Sequence, residues 1–177
     1  FANVGGLAEA DGAEALATAC EAYGVESVWT VEHVVVPAGY ESEYPYSRSG
    51  KMPGGETAPI PDPLVWLTWV GAHAPSLVLG TGILILPQRN PVVLAKEVAT
   101  LDRFTGGRVR LGVGVGWLRE EFDAIGVDFD DRAARTDDYI VALRELWESD
   151  SPTHDGPYVS FRNALSHPKP AGPTVPI

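Results

Sequence analysis

Residues 77–116 read LVLGTGILILPQRNPVVLAKEVATLDRFTGGRVRLGVGVG, a pattern that predicts a strand, a helix and a second strand. Residues 77–86 form a nearly unbroken apolar run, as expected of a strand covered on both faces. Asn90 and Pro91 begin the helix, because asparagine caps a first turn well and proline loses no useful N–H there. Residues 108–115 form a second apolar run, so the strands should be parallel and joined by a right-handed crossover.

The glycines of these two strands lie at alternate positions, so each set shares one face of its strand. The two sets are Gly80 with Gly82, and Gly112 with Gly114 and Gly116. Glycine inside a strand often marks the close approach of a ligand or of another backbone. Two neighbouring bare faces would form a shallow slot for a flat molecule. Tight packing of a helix on the sheet, or a bulge, accounts for the same glycines equally well.

Composition limits the class of protein. A chain of 177 residues with 45% hydrophobic content fits one domain with a sizeable core. The formal net charge of -11 argues against a nucleic-acid or anionic-membrane partner, and no apolar run has the length of a membrane span. The single cysteine, Cys20, excludes an internal disulfide framework. We therefore expect a cytoplasmic protein without a signal peptide, although the chain begins at Phe1 and an upstream segment is conceivable.

Strand and helix patterns alternate along the whole chain. The predicted order is a strand tail at 1–6, a helix from Asp11 to about Tyr23, a strand at 25–31, a helix after Asp62, the central unit, helices at 118–125 and 133–147, and the start of a strand at 175–177. Regular alternation predicts a parallel sheet with helices outside. A (β/α)8 barrel needs roughly 250 residues. The sequence therefore predicts an α/β fold, one partial domain over residues 1–177 that forms about the N-terminal half of a (β/α)8 TIM barrel with two open sheet edges.

Two segments lack any helical or strand period. Residues 34–61 are rich in Pro, Gly, Ser and Tyr, and loops of this length are usually lids or binding loops. Tyr40, Tyr44 and Tyr46 either line a substrate pocket or anchor the loop, and anchoring is slightly favoured. Residues 151–177 predict an irregular proline-rich arm with a short hairpin, which leads into a truncated fifth strand.

His33 is the best single candidate for chemistry. It follows the end of a predicted strand, where barrel enzymes place catalytic groups, and imidazole exchanges protons near neutral pH. A hydrogen-bonded structural histidine is the alternative. Glu32 should point the other way, so the two need not pair. No HxH or HExxH spacing occurs among the four histidines, so no metal site is predicted.

The run Gly112–Gly116 resembles a dinucleotide fingerprint but fails it, because Trp117 stands where the sixth-position glycine is needed. Trp117 either stacks on a flat ring or fills the core at the strand end. Trp66 and Trp69 widen the apolar side of the helix after Asp62, so either a partner subunit or a broad core covers them.

Three blocks together carry a family resemblance: TVEHVVVP, LGTGILILPQRNPVVLAKEVATLDRFTGGRV and LGVGVGWLREEFDAIGVDF. They resemble the bacterial-luciferase-like flavin-utilising monooxygenases, and most closely the branch that uses the deazaflavin coenzyme F420. The resemblance covers about residues 25–142, and the tail HPKPAGPTVPI also fits. It implies a (β/α)8 barrel, usually in homodimers, with a planar redox ring at the carboxyl ends of the strands.

The resemblance also implies roles for particular residues. Glu32 and His33 match an acidic–His pair, in which the histidine acts in proton transfer beside the ring. Gly82 and Ile83 match a position that often carries a non-prolyl cis peptide behind the ring. The remaining cofactor-binding candidates are Gly114, Gly116 and Trp117, which match the pocket segment after the fourth strand. Some deazaflavin enzymes carry a second acid where this chain has Trp117.

We therefore expect a flavin- or deazaflavin-dependent oxidoreductase that transfers a hydride between coenzyme F420 and an organic substrate under the 34–61 loop. The alternatives are an FMN-dependent monooxygenase that uses dioxygen, a non-catalytic flavin-binding barrel, and a metal-dependent barrel hydrolase. A flavin or F420 reductase would supply reduced cofactor. Because a barrel's phosphate site typically follows strands seven and eight, residues 1–177 alone should bind cofactor weakly or not at all.

Overall fold

The structure, a computed structural model, describes residues 2–177. The helices are α1 (Ala10–Tyr23), α2 (Pro63–His73), α3 (Pro91–Phe104), α4 (Arg119–Ile125) and α5 (Arg132–Glu148). The strands are β1 (Ser27–Thr30), β2 (Val78–Thr81), β3 (Leu84–Ile85), β4 (Val109–Arg110), β5 (Val113–Gly114), β6 (His154–Asp155) and β7 (Ser160–Phe161). Within residues 2–177, no helix combines the length and the apolar character that crossing a bilayer requires.

The sheet is parallel, as predicted. Strand β2 lies between β1 and β4, and β3 pairs with β5 in the same parallel sense. Beyond β1, the Ala2 amide donates to the Trp29 carbonyl oxygen at 3.1 Å, and beyond β4 the Leu111 amide donates to Pro176 at 2.9 Å. The chain's two terminal segments therefore border the sheet at the predicted places, but neither forms a strand within the described residues, and Gly5–Ala8 is a 3-10 helix. Phe1 lies outside the described residues.

The prediction of two long, continuous strands is wrong, because each breaks into two short pieces. The first is interrupted at Gly82 and Ile83, which are joined by a cis peptide bond. The second is interrupted at Gly112, whose carbonyl oxygen accepts from the Leu84 amide at 2.8 Å and from the Thr81 hydroxyl at 2.7 Å. The bulge that the glycines left open as an alternative is therefore present.

Helix boundaries follow local signals closely. Asp62 and Asn90 each accept two backbone N–H groups at the start of α2 and α3, with proline at the first helical position. Gly24 ends α1 in the left-handed conformation. The predicted start of α1 at Asp11 is one residue late, because the helix begins at Ala10, after Glu9, without a side-chain cap.

One hydrophobic core lies between the sheet and the helices. Helices α1, α2, α3 and α5 contribute buried residues that include Ala17, Leu67, Val98 and Leu143, and Leu79 contributes from the sheet. A smaller second cluster of Tyr40, Met52 and Leu118 lies beneath the 34–61 segment, which contains neither helix nor strand. The core thus holds the helices on one side of the strands and leaves the strand ends free to carry a site.

Candidate active site

A cavity of about 780 Å³ lies at the carboxyl ends of the strands, within the usual size range of ligand sites. It is bounded by the residues after β1, by the break between β2 and β3, by the residues after β5, and by the 34–61 loop. Six of the seven predicted site residues line it: Glu32, His33, Gly82, Ile83, Gly116 and Trp117. Gly114 does not.

His33 is paired with a carboxylate that the sequence reasoning did not identify. Its Nδ1 lies 3.0 Å from Oε2 of Glu121, on α4, and both side chains are at least nine-tenths buried. The other oxygen of Glu121 accepts the backbone N–H groups of Val34 and Val35. A carboxylate partner keeps the proton on Nδ1, so the Nε2 of neutral His33 is free to accept a proton on the cavity side.

Glu32 does not pair with His33, as its position predicted. Its carboxylate accepts hydrogen bonds from the Arg89 guanidinium and from the Ile85 amide. Arg89 also reaches Asp62, at 2.7 Å. Burial raises the pKa of the Glu32 carboxyl, and Arg89 opposes that rise. Glu32 therefore anchors β3 to the end of β1.

The glycine pattern predicted an open face on the strands. At four of the five glycines, however, neighbouring atoms already fill the space that a Cβ would occupy. A side chain at Gly80 would lie 2.4 Å from the Trp29 ring, and one at Gly112 would lie 2.0 Å from a backbone oxygen. The Ile83 side chain covers Gly114, which explains why Gly114 does not line the cavity. Gly116 is likewise packed against Phe122 at 2.8 Å.

Only Gly82 keeps the space that the glycine pattern predicted. The atoms nearest to a Cβ placed there are 3.6 Å away, an ordinary contact distance. The Gly82–Ile83 peptide bond is cis, as the family resemblance predicted. The room for a flat group is therefore local to this peptide and to the Ile83 side chain, which is 38% exposed.

Some of the aromatic residues line the cavity, and others anchor the loop. The Trp117 ring meets the rings of His33, Tyr40 and Tyr44 edge-on, at centroid distances of 5.2–5.8 Å. Tyr40 is buried and its hydroxyl accepts the Met52 amide, so it anchors the loop. Trp117 and Tyr44 line the cavity.

Glu120 fastens the long loop to α4. Its carboxylate accepts the amides of Glu41 and Ser42, at 2.7 and 3.0 Å, and the Ser42 hydroxyl at 2.6 Å. Desolvation acts to raise the pKa of Glu120, but these hydrogen bonds outweigh it and lower the pKa from 4.5 to about 2. Adjacent glutamates thus hold both the loop and the catalytic candidate.

This attachment should depend on pH. Because the pKa of Glu120 is lower in the folded state, the attachment is fully present above about pH 4.5 and is lost as the pH falls through about 2. We expect the amide ¹H–¹⁵N shifts of Glu41 and Ser42 to titrate with a midpoint near 2. Glu120→Gln should remove that titration. A midpoint near 4.5 would show that the carboxylate is not held.

The other histidines lie away from the cavity lining. His73 is 3.8 Å from Glu14, and the His154 Nε2 contacts the buried Asp138 at 2.7 Å, which ties the C-terminal arm to α5. Among residues 2–177, no group of three or more His, Cys, Asp or Glu side chains is arranged to hold a metal ion.

One feature of the sequence pointed to a buried Glu121. This glutamate lies on the apolar side of a short helix, beside Leu118 and Phe122.

The family model for luciferase-like monooxygenases matches residues 2–177. The chain belongs to the luciferase-like monooxygenase family. The family's relatives include enzymes that use coenzyme F420 and enzymes that use FMN.

Among relatives of this luciferase-like chain is an uncharacterised protein of Mycobacterium tuberculosis, 31% identical over 92% of this chain and 58% of its own length. An F420-dependent glucose-6-phosphate dehydrogenase of Kineococcus radiotolerans is 32% identical over 91% of this chain and 44% of its own. An FMNH2-dependent dimethylsulfone monooxygenase of Pseudomonas fluorescens is 39% identical over 46% of this chain and 23% of its own length.

A monooxygenase from Streptomyces bottropensis has a similar solved structure, with a TM-score of 0.76 and 28% identity over 94% of this chain and 45% of that one. The luciferase-like chain therefore spans about half the length of the proteins it matches. Its parallel sheet with outer helices is about half of the TIM barrel of these enzymes.

Proposed function

We propose that this luciferase-like chain supplies the proton-transfer half of the active site in an oxidoreductase that moves a hydride between coenzyme F420 and an organic substrate. The observation that carries the proposal is the buried His33–Glu121 pair at the wall of the cavity. The F420-dependent relative, 32% identical over most of the chain, supports the choice of cofactor.

The residues present fit a planar ring but show no site for its phosphate-bearing tail. Gly82, Ile83 and Trp117 would hold the ring, since the first leaves space and the others offer apolar surface. No lysine or arginine is among the described residues that line the cavity, so the tail would need groups elsewhere. The bound cofactor would accept or donate the hydride.

The chain's own residues account for the proton. In the oxidation of an alcohol, Nε2 of His33 would accept the proton that the substrate hydroxyl releases. Glu121 accepts a hydrogen bond at Nδ1 and stabilises the imidazolium that forms, in the manner of a carboxylate behind a general base. The 34–61 loop, held by Glu120, forms one wall of the cavity.

A cofactor assay tests the proposal. The full-length protein is mixed with oxidised F420 and an alcohol, or with reduced F420 and a ketone, and the deazaflavin absorbance is followed. A parallel arm supplies reduced FMN with dioxygen, and it is scored by oxygenated product because free reduced flavin oxidises in air. Turnover with F420 supports the proposal, product only in the FMN arm supports the monooxygenase alternative, and no turnover in either arm contradicts both.

The proposal extends to partners. On α2, Val65 is 71% exposed and Trp69 is 45% exposed, whereas Trp66 is buried. We propose that a second copy of the protein covers this surface in a homodimer, and that a separate reductase supplies reduced cofactor. Sedimentation equilibrium tests the dimer, and a monomer at micromolar concentration would contradict it.

A further inference from the structure

The walls of the cavity are apolar on both sides. Val31, Ile83 and Ile85 form the side contributed by the sheet, and Met52 and Ile60 form part of the side contributed by the loop. A charged group placed against such walls loses its hydration and needs a charged or strongly hydrogen-bonding partner to compensate. The charge distribution around the cavity therefore determines which substrates it accepts.

The described residues that line the cavity offer an anion no free cationic partner. Glu32 and His33 are the only acidic or basic side chains among the described residues that line the cavity. His33 already has a carboxylate partner in Glu121, so the pair carries no net positive charge when the imidazole is protonated. The overall charge of -11 acts in the same direction.

The cations close to the lining in sequence or by contact are already engaged. Arg89, which contacts Glu32, donates to Glu32 and Asp62 and does not itself line the cavity. Lys51, next to Met52, donates to the Tyr40 carbonyl at 2.7 Å and lies 4.0 Å above the Tyr40 ring. Recruiting either cation to a substrate would break these contacts.

The polar groups left for a substrate are few. The Nε2 of His33 makes no hydrogen bond within the described residues, and Tyr44 and Tyr46 bring hydroxyl groups to the lining. This set suits one oxygen atom on an otherwise apolar molecule.

We infer that the substrate of this site is a neutral alcohol or carbonyl compound with an apolar body, and that carboxylate and phosphate-bearing substrates are excluded. The inference rests on the proposed function and narrows it. It also separates this chain from the Kineococcus radiotolerans relative, whose name specifies glucose-6-phosphate.

Binding without cofactor tests the inference. The probes are 2-octanone and octanoate, which have equal chain length and differ in charge, titrated at pH 7.5 by calorimetry. We expect 2-octanone to bind at least about tenfold more tightly, a difference of about 1.4 kcal/mol. Equal or tighter binding of octanoate, or no binding of 2-octanone at millimolar concentration, would overturn the inference.

A variant with an added cation makes the test sharper. Ala58 lines the cavity from the loop, and Ala58→Arg should raise the affinity for octanoate several-fold while leaving 2-octanone little changed. Val93→Arg, on the exposed side of α3, adds the same charge away from the cavity and should change neither affinity. If both variants raise octanoate binding equally, or if neither does, charge at the cavity wall is not what excludes the anion.

The two proposals fail in distinguishable ways. A ketone preference in calorimetry together with no turnover in the cofactor assay would overturn the proposed function and leave the cavity's selectivity standing. Turnover with cofactor together with an octanoate preference would overturn the substrate class alone.

Discussion

Replacing His33 with alanine is expected to lower turnover by about 10²–10⁴-fold, the usual contribution of a positioned general acid–base group. The loss arises because Nε2 of His33 is the group on the cavity wall that is free to exchange a proton, held in one tautomer by Glu121. Cofactor binding by the full-length protein should be retained, since the surfaces of Gly82, Ile83 and Trp117 are unchanged. Steady-state kinetics and a cofactor titration of the same sample measure both quantities.

Two controls separate chemistry from folding. His73→Ala removes an imidazole on α2 that contacts Glu14 and lies outside the cavity lining, so it should leave turnover unchanged. Glu121→Gln keeps the shape but weakens the hold on His33, and it should shift the pH profile of turnover as well as lower its maximum. Unchanged turnover in His33→Ala would contradict the role of His33 as the acid–base group.

Replacing Arg89 with methionine is expected to lower the free energy of unfolding by about 3–5 kcal/mol, as for a buried ion pair that loses one partner. The Glu32 side chain is only 1% exposed, so without Arg89 its charge has no cationic partner at the end of β1. Urea unfolding followed by tryptophan fluorescence measures the change. Arg103→Met, on the exposed side of α3, is the matched control and should have little effect.

The stability lost in Arg89→Met should depend on pH, because the loss comes from the ionised form of Glu32. Burial raises the pKa of Glu32 above 4.5, so its ionised form is the one that folding disfavours. Above that raised pKa the ionised group lowers stability, and the penalty is relieved as the pH falls toward 4.5. Because Arg89 opposes the rise in the pKa of Glu32, its loss should increase the penalty, so the difference between Arg89→Met and the unmodified protein should shrink as the pH falls toward 4.5. Glu32→Gln combined with Arg89→Met should recover part of the loss, and a double variant no more stable than the single one would contradict the ion-pair account.

Much of the fold was predictable because its signals are local. Asp62 and Asn90 cap their helices with side chains three or fewer residues from the amides they bind. Gly24 ends α1 by its own backbone conformation. Each signal acts within one helical turn, so the residues that cause a helix to begin or end are adjacent in sequence to the boundary itself.

The site was predictable only in part. Position after a strand identified His33 and Glu32, and the family resemblance identified Gly82 and Ile83. Glu121 was missed because its partner, His33, is 88 residues away in the chain. Arg89 was missed for the same reason, since 57 residues separate it from Glu32. No periodicity or spacing rule connects residues that far apart.

Alternation of short apolar runs with capped helices was enough to establish a parallel α/β half barrel, the outward position of its helices and the strand end where chemistry belongs. These properties follow from hydrophobic periodicity and backbone preference, which each residue carries with it. Folding was needed to show that Trp29 and Ile83 cover the glycines, that Glu121 holds His33, and that the cavity wall carries no free cation among the described residues. Those properties depend on which distant side chains occupy the same space, and packing alone determines that.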